Sequence, residues 1–192
     1  MLKKQKNVEG DALVSTVLFD HESIVIHDRV PIDEVPPLTE NEYEVRGNTA
    51  LLDAMGDAIK HIKTIHKYAR EEDRPNKTIF IITTDGEENS SVRFRYDDIK
   101  KLVEKQKEIG WDFIFLGANI DAIGVAKSLG VSANRAVNYH SDGLGTKKAF
   151  ASFSNFVSAA RSASSMAMVQ DEWREELDED FAERSDKPRG KK

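Results

Sequence analysis

The sequence predicts an α/β fold in which a mostly parallel sheet carries helices on both faces and one antiparallel edge strand. Three observations lead there. Thr78-Ile79-Phe80-Ile81-Ile82-Thr83-Thr84 is an apolar and β-branched run that stops at Asp85-Gly86. Such a run, without polar alternation, marks a strand buried on both faces. From Pro75 onward the order is strand, helix, strand, helix, strand, helix, which requires crossover connections and a parallel sheet. Near the amino terminus, two apolar stretches are parted only by Asp20-His21-Glu22, the short polar gap of an antiparallel hairpin.

The elements follow in order. Met1 to Asp11 is polar and contains Gly10; it reads as the last turn of a helix or a loose terminus. Ala12 to Phe19 is a first strand and Ser23 to Val30 a second, and the better alternation of the second puts it at the sheet edge. Pro31, Pro36 and Pro37 then interrupt regular structure through an acidic loop. Gly47-Asn48-Thr49 opens a long helix whose Leu51, Leu52, Met55, Ile59, Ile62 and His66 share one face. Asn48 or Thr49 is its expected cap. After the Thr78 strand, a helix from about Tyr96 to Ile109 ends at Gly110. Trp111 to Gly117 is the next strand, Asp121 to Leu129 a short helix closed by Gly130, and Arg135 to Tyr139 the last strand. Thr146 to Ser165 forms a final helix with Phe150, Phe153, Val157 and Ala160 on its buried face. Residues 1–167 thus read as one domain. In the charged segment 168–192, Trp173, Leu177 and Phe181 are spaced by four, which allows a short amphipathic helix, but the composition reads as a disordered tail.

Composition narrows the function. At 192 residues the chain is long enough for a sizeable core. Its 39% hydrophobic and 32% charged residues describe a soluble protein. The net charge of −6 opposes the basic field of a nucleic-acid binder, and no apolar run approaches the roughly 20 residues of a membrane span. No apolar segment follows the basic start, so no secretory signal is read. With no cysteine, thiolate metal sites and cysteine nucleophiles are excluded. The expected location is the cytoplasm. The five histidines are scattered, and His61 and His66, five apart, do not share a helix face as a zinc pair requires. Gly143-Leu144-Gly145 reads as a helix start, since no apolar strand of a phosphate loop precedes it.

Two loops carry the chemistry. One is Gly47 to Ala54, the other Thr83 to Asn89. In parallel sheets, ligands bind at the carboxyl ends of the strands, where Asp85 stands. The Thr49 hydroxyl and the Asp85 carboxylate are hard oxygen donors suited to Mg²⁺. Read without a metal, Thr49 is a helix cap and Asp85 a turn residue.

Gly47-Asn48-Thr49-Ala50-Leu51-Leu52 resembles the Gly-Gly-Thr-Ala/Pro-Leu segment of von Willebrand factor type A domains, and Ile79 to Gly86 resembles their fourth strand, ending in Thr-Asp-Gly. Leu13 to Asp20 resembles the second strand of that family and Ser23 to Val30 its antiparallel edge strand. The resemblance covers about Ala12 to Ser165. It implies a Rossmann-like, doubly wound sheet and a metal-ion-dependent adhesion site. There Thr49 and Asp85 would hold Mg²⁺ or another divalent cation. Asn48, Gly86 and Glu87 would face a protein partner, whose acidic side chain completes the metal shell.

The family's first strand ends in Asp-x-Ser-x-Ser and supplies most of the ligands. No such motif occurs before Ala12. The chain therefore reads as a domain truncated at its amino end relative to the family, with the Ala12 and Thr78 strands lacking a shared neighbour. The sheet is expected to close over the gap, to recruit a strand from another chain, or to be poorly stable. The resulting expectation is a non-catalytic interaction module with a weak or incomplete Mg²⁺ site. The alternatives are a Mg²⁺-dependent hydrolase using Asp85, Glu87 and Glu88, and an inactive remnant.

Overall fold

The structure is a computed structural model that describes residues 2–36, 47–164, 169 and 171–185. The acidic loop over 37–46 with Pro37, the expected helix end at Ser165 and the last residues of the tail lie outside the described residues. The fold is α/β, with six α-helices and two sheets among the described residues. In chain order the elements are α1 (Leu2–Gln5), β1 (Leu13–Phe19), β2 (Ser23–Pro31), α2 (Leu51–Tyr68), β3 (Thr78–Thr84), α3 (Tyr96–Glu108), β4 (Trp111–Ala118), α4 (Ala122–Ser128), β5 (Ala136–Tyr139), α5 (Gly143–Ser162) and α6 (Glu175–Ser185). No helix among the described residues is long and apolar enough to cross a membrane.

Three strands, β3, β4 and β5, lie side by side and parallel with β4 in the middle. Because side chains alternate along a strand, β4 feeds two cores. Phe113 and Phe115 enter one with Leu51, Met55 and Ile59 of α2 and Ile99 of α3. Ile114 and Leu116 enter the other with Phe153 and Phe156 of α5, together with Trp173 and Leu177. Each fully buried side chain of this size contributes about 1.5–3 kcal/mol.

The single sheet expected from the sequence is divided. β1 and β2 form a separate antiparallel hairpin, and β1 does not pair with β3. The hairpin meets α2 and the turn before it: Phe19 packs on the first core, and the Ala50 amide donates to the Asp20 carbonyl (2.6 Å). With a neighbour on one side only, β3 is not buried along both faces as its apolar run predicts. Ile82 and Thr84 are buried, whereas Ile79, Phe80 and Ile81 are partly exposed. Pro31 ends β2 instead of excluding a strand, because an edge position needs no amide donor there.

The charged segment read as a disordered tail is also corrected. Residues 171–185 fold as a 3₁₀ turn, Asp171–Arg174, followed by α6. Trp173 and Leu177 are buried against α5 and β5. Asp180 is 7% exposed and accepts from Lys148 Nζ (2.9 Å) and Arg184 Nη1 (3.0 Å). The four-residue spacing of Trp173, Leu177 and Phe181 was the signal for this helix. On α5 the expected Phe153 and Ala160 are buried and Val157 packs on the core, but Phe150 is 43% exposed and Phe156 is buried in addition. The amino terminus is tied to the same helix. Gln5 Nε2 donates to the Ser154 carbonyl and to Ser158 Oγ, both at 2.8 Å.

Candidate functional site at the carboxyl edge of β3

The site begins with the way β3 ends. Thr84 Oγ1 donates to the Gly86 carbonyl (2.9 Å) and accepts from the Gly86 amide (3.3 Å). This holds a tight turn and leaves the Asp85 side chain exposed. The chain then runs back to the start of α2. The Asn89 amide donates to the Thr49 carbonyl (3.0 Å), and the Thr49 amide donates to Asn89 Oδ1 (2.9 Å). The two loops identified in the sequence are therefore joined by a reciprocal pair of hydrogen bonds. A Cβ added at Gly86 would lie 3.0 Å from Thr49 Oγ1, so Thr49 and the Asp85-Gly86 turn share one place. Asn48 and Glu87, the other residues expected at the edge, are exposed beside them.

The capping of α2 differs from the expected one. Neither Asn48 nor Thr49 caps the helix; its N-cap is Ala50, without a side-chain hydrogen bond. The free amides at the helix start are taken from across the turn. Leu52 donates to Glu88 Oε2 (2.9 Å) and Asp53 to Ser91 Oγ (3.1 Å), satisfying groups that any helix start leaves open. Thr49 is relieved of this task, and its hydroxyl has no hydrogen-bond partner among the described residues.

Asp53 fastens the rest of the loop. Its carboxylate is buried and accepts from the amides of Val92 (3.1 Å), Arg93 (3.0 Å) and Phe94 (2.9 Å). Burial pushes the Asp53 carboxyl up, but these three amides and the Arg93 charge outweigh it and hold the group below its ordinary 3.8. Phe94 is laid across α2 at Gly56, where an added Cβ would lie 2.6 Å from the ring. Gly56→Ala should therefore displace Phe94 and cost about 1–3 kcal/mol of stability, despite the better helix propensity of alanine. Urea unfolding of the variant checks this, and an unchanged or higher midpoint would contradict the packing.

Among the described residues, the arrangement presents the Asp85 and Glu87 carboxylates and the Thr49 hydroxyl without hydrogen-bond partners. Among the described residues, no three His, Cys, Asp or Glu side chains converge as a metal-ligand group. Glu88 is committed elsewhere: Oε1 accepts from the amides of Ser90 (3.0 Å) and Ser91 (2.7 Å), and Oε2 accepts from Leu52 and Ser91 Oγ. A carboxylate so engaged is a poor general base. The loop nonetheless carries a negative field: burial, Glu88 and Glu87 together push the Tyr96 phenol above its ordinary 10.0.

Sequence reasoning found Thr49, Asp85 and Gly86 from their type and position. It missed Asn89, Ser91 and Asp53 as the residues that hold the site together. Their signal was a run of short polar residues, Asn89-Ser90-Ser91, able to bond backbone amides. No protein-family model, curated protein or solved structure matches the chain.

Proposed function

We propose that this chain is a non-catalytic protein-interaction module of the von Willebrand factor A type. It would work in the cytoplasm and meet a protein partner at the edge formed by Thr49, Asp85, Asn48, Gly86 and Glu87. The proposal includes a Rossmann-like relation between the two sheets, as the resemblance implies. The observation that carries the reading is the convergence of the Thr49 hydroxyl, without a hydrogen-bond partner among the described residues, on the Asp85-Gly86 turn. Hard oxygen donors of this kind suit Mg²⁺, which retains several waters and takes few protein ligands. When bound, the cation would offer an acidic side chain of the partner a coordination position. With only Thr49 and Asp85 to hold it, binding is weak. The engagement of Glu88 favours this reading over a hydrolase that relies on the same residue.

Thermal unfolding in Mg²⁺ tests it. A site with a dissociation constant on the order of 1 mM gains about 1.4 kcal/mol at roughly 10 mM Mg²⁺, or about 3–6 °C for a chain of this size. The rise should vanish in Thr49→Ala and in Asp85→Ala. A wild-type protein whose melting temperature ignores Mg²⁺ would exclude the metal site.

A further inference from the structure

Two strand edges are left open side by side. Among the described residues, β1 pairs only with β2, and β3 only with β4. At their carboxyl ends, the Asp20 carbonyl accepts from the Ala50 amide (2.6 Å), and a Cβ on Gly86 would lie 3.0 Å from Thr49 Oγ1. Thr49 and Ala50 are consecutive, so one residue step of about 3.8 Å parts the two points of attachment. At the amino ends, Arg161 donates to the carbonyls of Val8 (3.0 Å) and Gly10 (2.5 Å), just before β1. Lys77, just before β3, donates from Nζ to the carbonyls of Ala160 (2.7 Å) and Arg161 (3.2 Å). Both strands therefore run from the end of α5 to the start of α2, in the same direction. Their carboxyl ends lie within about 10 Å, roughly two strand spacings of 4.8 Å, which is room for one strand between them.

Burial and composition single out these two edges. Thr16 to Phe19 of β1 and Thr78 to Ile81 of β3 are half-buried at every successive position. Side chains alternate between faces along a strand, so a bare face would expose every second residue. Unbroken half-burial means that both faces are covered and that the opening is lateral. Phe80 packs on the first core, and Ile79 and Ile81 on the second. The outer edges carry features that keep strands from pairing with other chains. β2 has Asp28, Arg29 at a φ of +53° and Pro31, and β5 is only 4 residues long. β1 and β3, of 7 residues each, contain neither a charge nor a proline. We infer that the opening between β1 and β3 accepts one extended, uncharged, apolar strand of a protein partner. The backbone of that strand takes up the open amides and carbonyls of both neighbours, and its alternate side chains enter the two cores. Apolar packing on both faces excludes a strand with one polar face. The inference rests on the strand edges and is independent of the Mg²⁺ reading of Thr49 and Asp85.

Amide hydrogen exchange of the full chain, followed by NMR, tests it. The probe is the capped peptide Lys-Lys-Val-Ile-Val-Val-Ile-Val-Lys-Lys, used at a concentration where it is monomeric. The expected result is exchange slowed at least tenfold at alternate amides of both β1 and β3, saturating with peptide. The outer edge of β2 should not change. The same peptide with its two central valines N-methylated keeps the side chains but loses one donor toward each neighbour, and it should protect neither strand. Thr49→Ala should leave the protection as it is, so failure of the metal site is told apart from failure here. No protection, protection of one strand alone, or equal protection by the N-methylated peptide overturns the inference. Amides of both open edges that are already slow in the free protein overturn it as well. If a concentration-dependent dimer then appears in sedimentation, a second copy fills the opening; in a monomer, a segment of the same chain does.

Discussion

Asp53→Ala should lower the stability of the protein by about 2–4 kcal/mol. The estimate follows from three backbone amides, those of Val92, Arg93 and Phe94, that lose their acceptor together. A buried donor left open costs about 1–3 kcal/mol, and water recovers part of this where the loop is exposed. Asp53→Asn keeps one carbonyl oxygen and should cost roughly half as much. The comparison by urea unfolding separates hydrogen bonding from charge: equal losses in both variants would mean that the charge dominates. The same residue makes stability depend on pH. Its folded pKa lies below the ordinary 3.8, so the unfolded chain takes up the proton first as acid is added. The contribution is complete above about pH 5 and disappears as pH falls through the lowered folded value. Acid unfolding of Asp53→Asn should lack this component. Because the loop fixed by Asp53 also carries Glu88 and Asn89, which hold the start of α2, Asp53→Ala should abolish the Mg²⁺ response as well.

Trp173→Ala should cost about 3–5 kcal/mol, the range for removing a large aromatic side chain from a packed core. Trp173 is 7% exposed and meets Phe156 edge-on, with ring centroids 5.3 Å apart. Ion pairs hold its segment as well. Arg135 pairs with both Asp112 and Asp171, and Asp180 sits between Lys148 and Arg184. Ending the chain at residue 168 removes Trp173, Leu177 and the pairs made by Asp171 and Asp180, and exposes one side of the second core. The expected result is loss of a cooperative thermal transition, measured by circular dichroism and calorimetry. A truncated chain that melts like the whole protein would show that residues 171–185 add nothing to the fold. Trp173→Phe keeps most of the packing, and since the indole Nε1 has no hydrogen-bond partner among the described residues, it should be close to neutral.

The two candidate site loops were legible because each local signal agreed with its surroundings. An apolar β-branched run ending in Thr84-Asp85-Gly86 is a strand meeting a turn, and Gly47-Asn48-Thr49 before a helical period is a helix start. That they meet was inferred from resemblance; the Thr49–Asn89 hydrogen bonds make the meeting physical. The cap of α2 was misassigned for a definite reason. Local sequence suggests Asn48 and Thr49 as acceptors, yet Glu88 and Ser91, far along the chain, reach the same amides. The acidic segment after residue 168 was misread because composition outweighed three apolar residues spaced by four.

The sequence by itself determined the kinds and order of the elements and the identity of the oxygen donors, because these depend on periodicity, breakers and residue chemistry within a few positions. Only the tertiary structure decided three further matters. The sheet is split between β1 and β3, since strand pairing is a contact between distant segments. Thr49 is freed from capping, since a competing acceptor arrives from another loop. Asp171 to Ser185 is ordered, since burial of Trp173 and Leu177 against α5 and β5 supplies the stabilisation that its own charged composition does not.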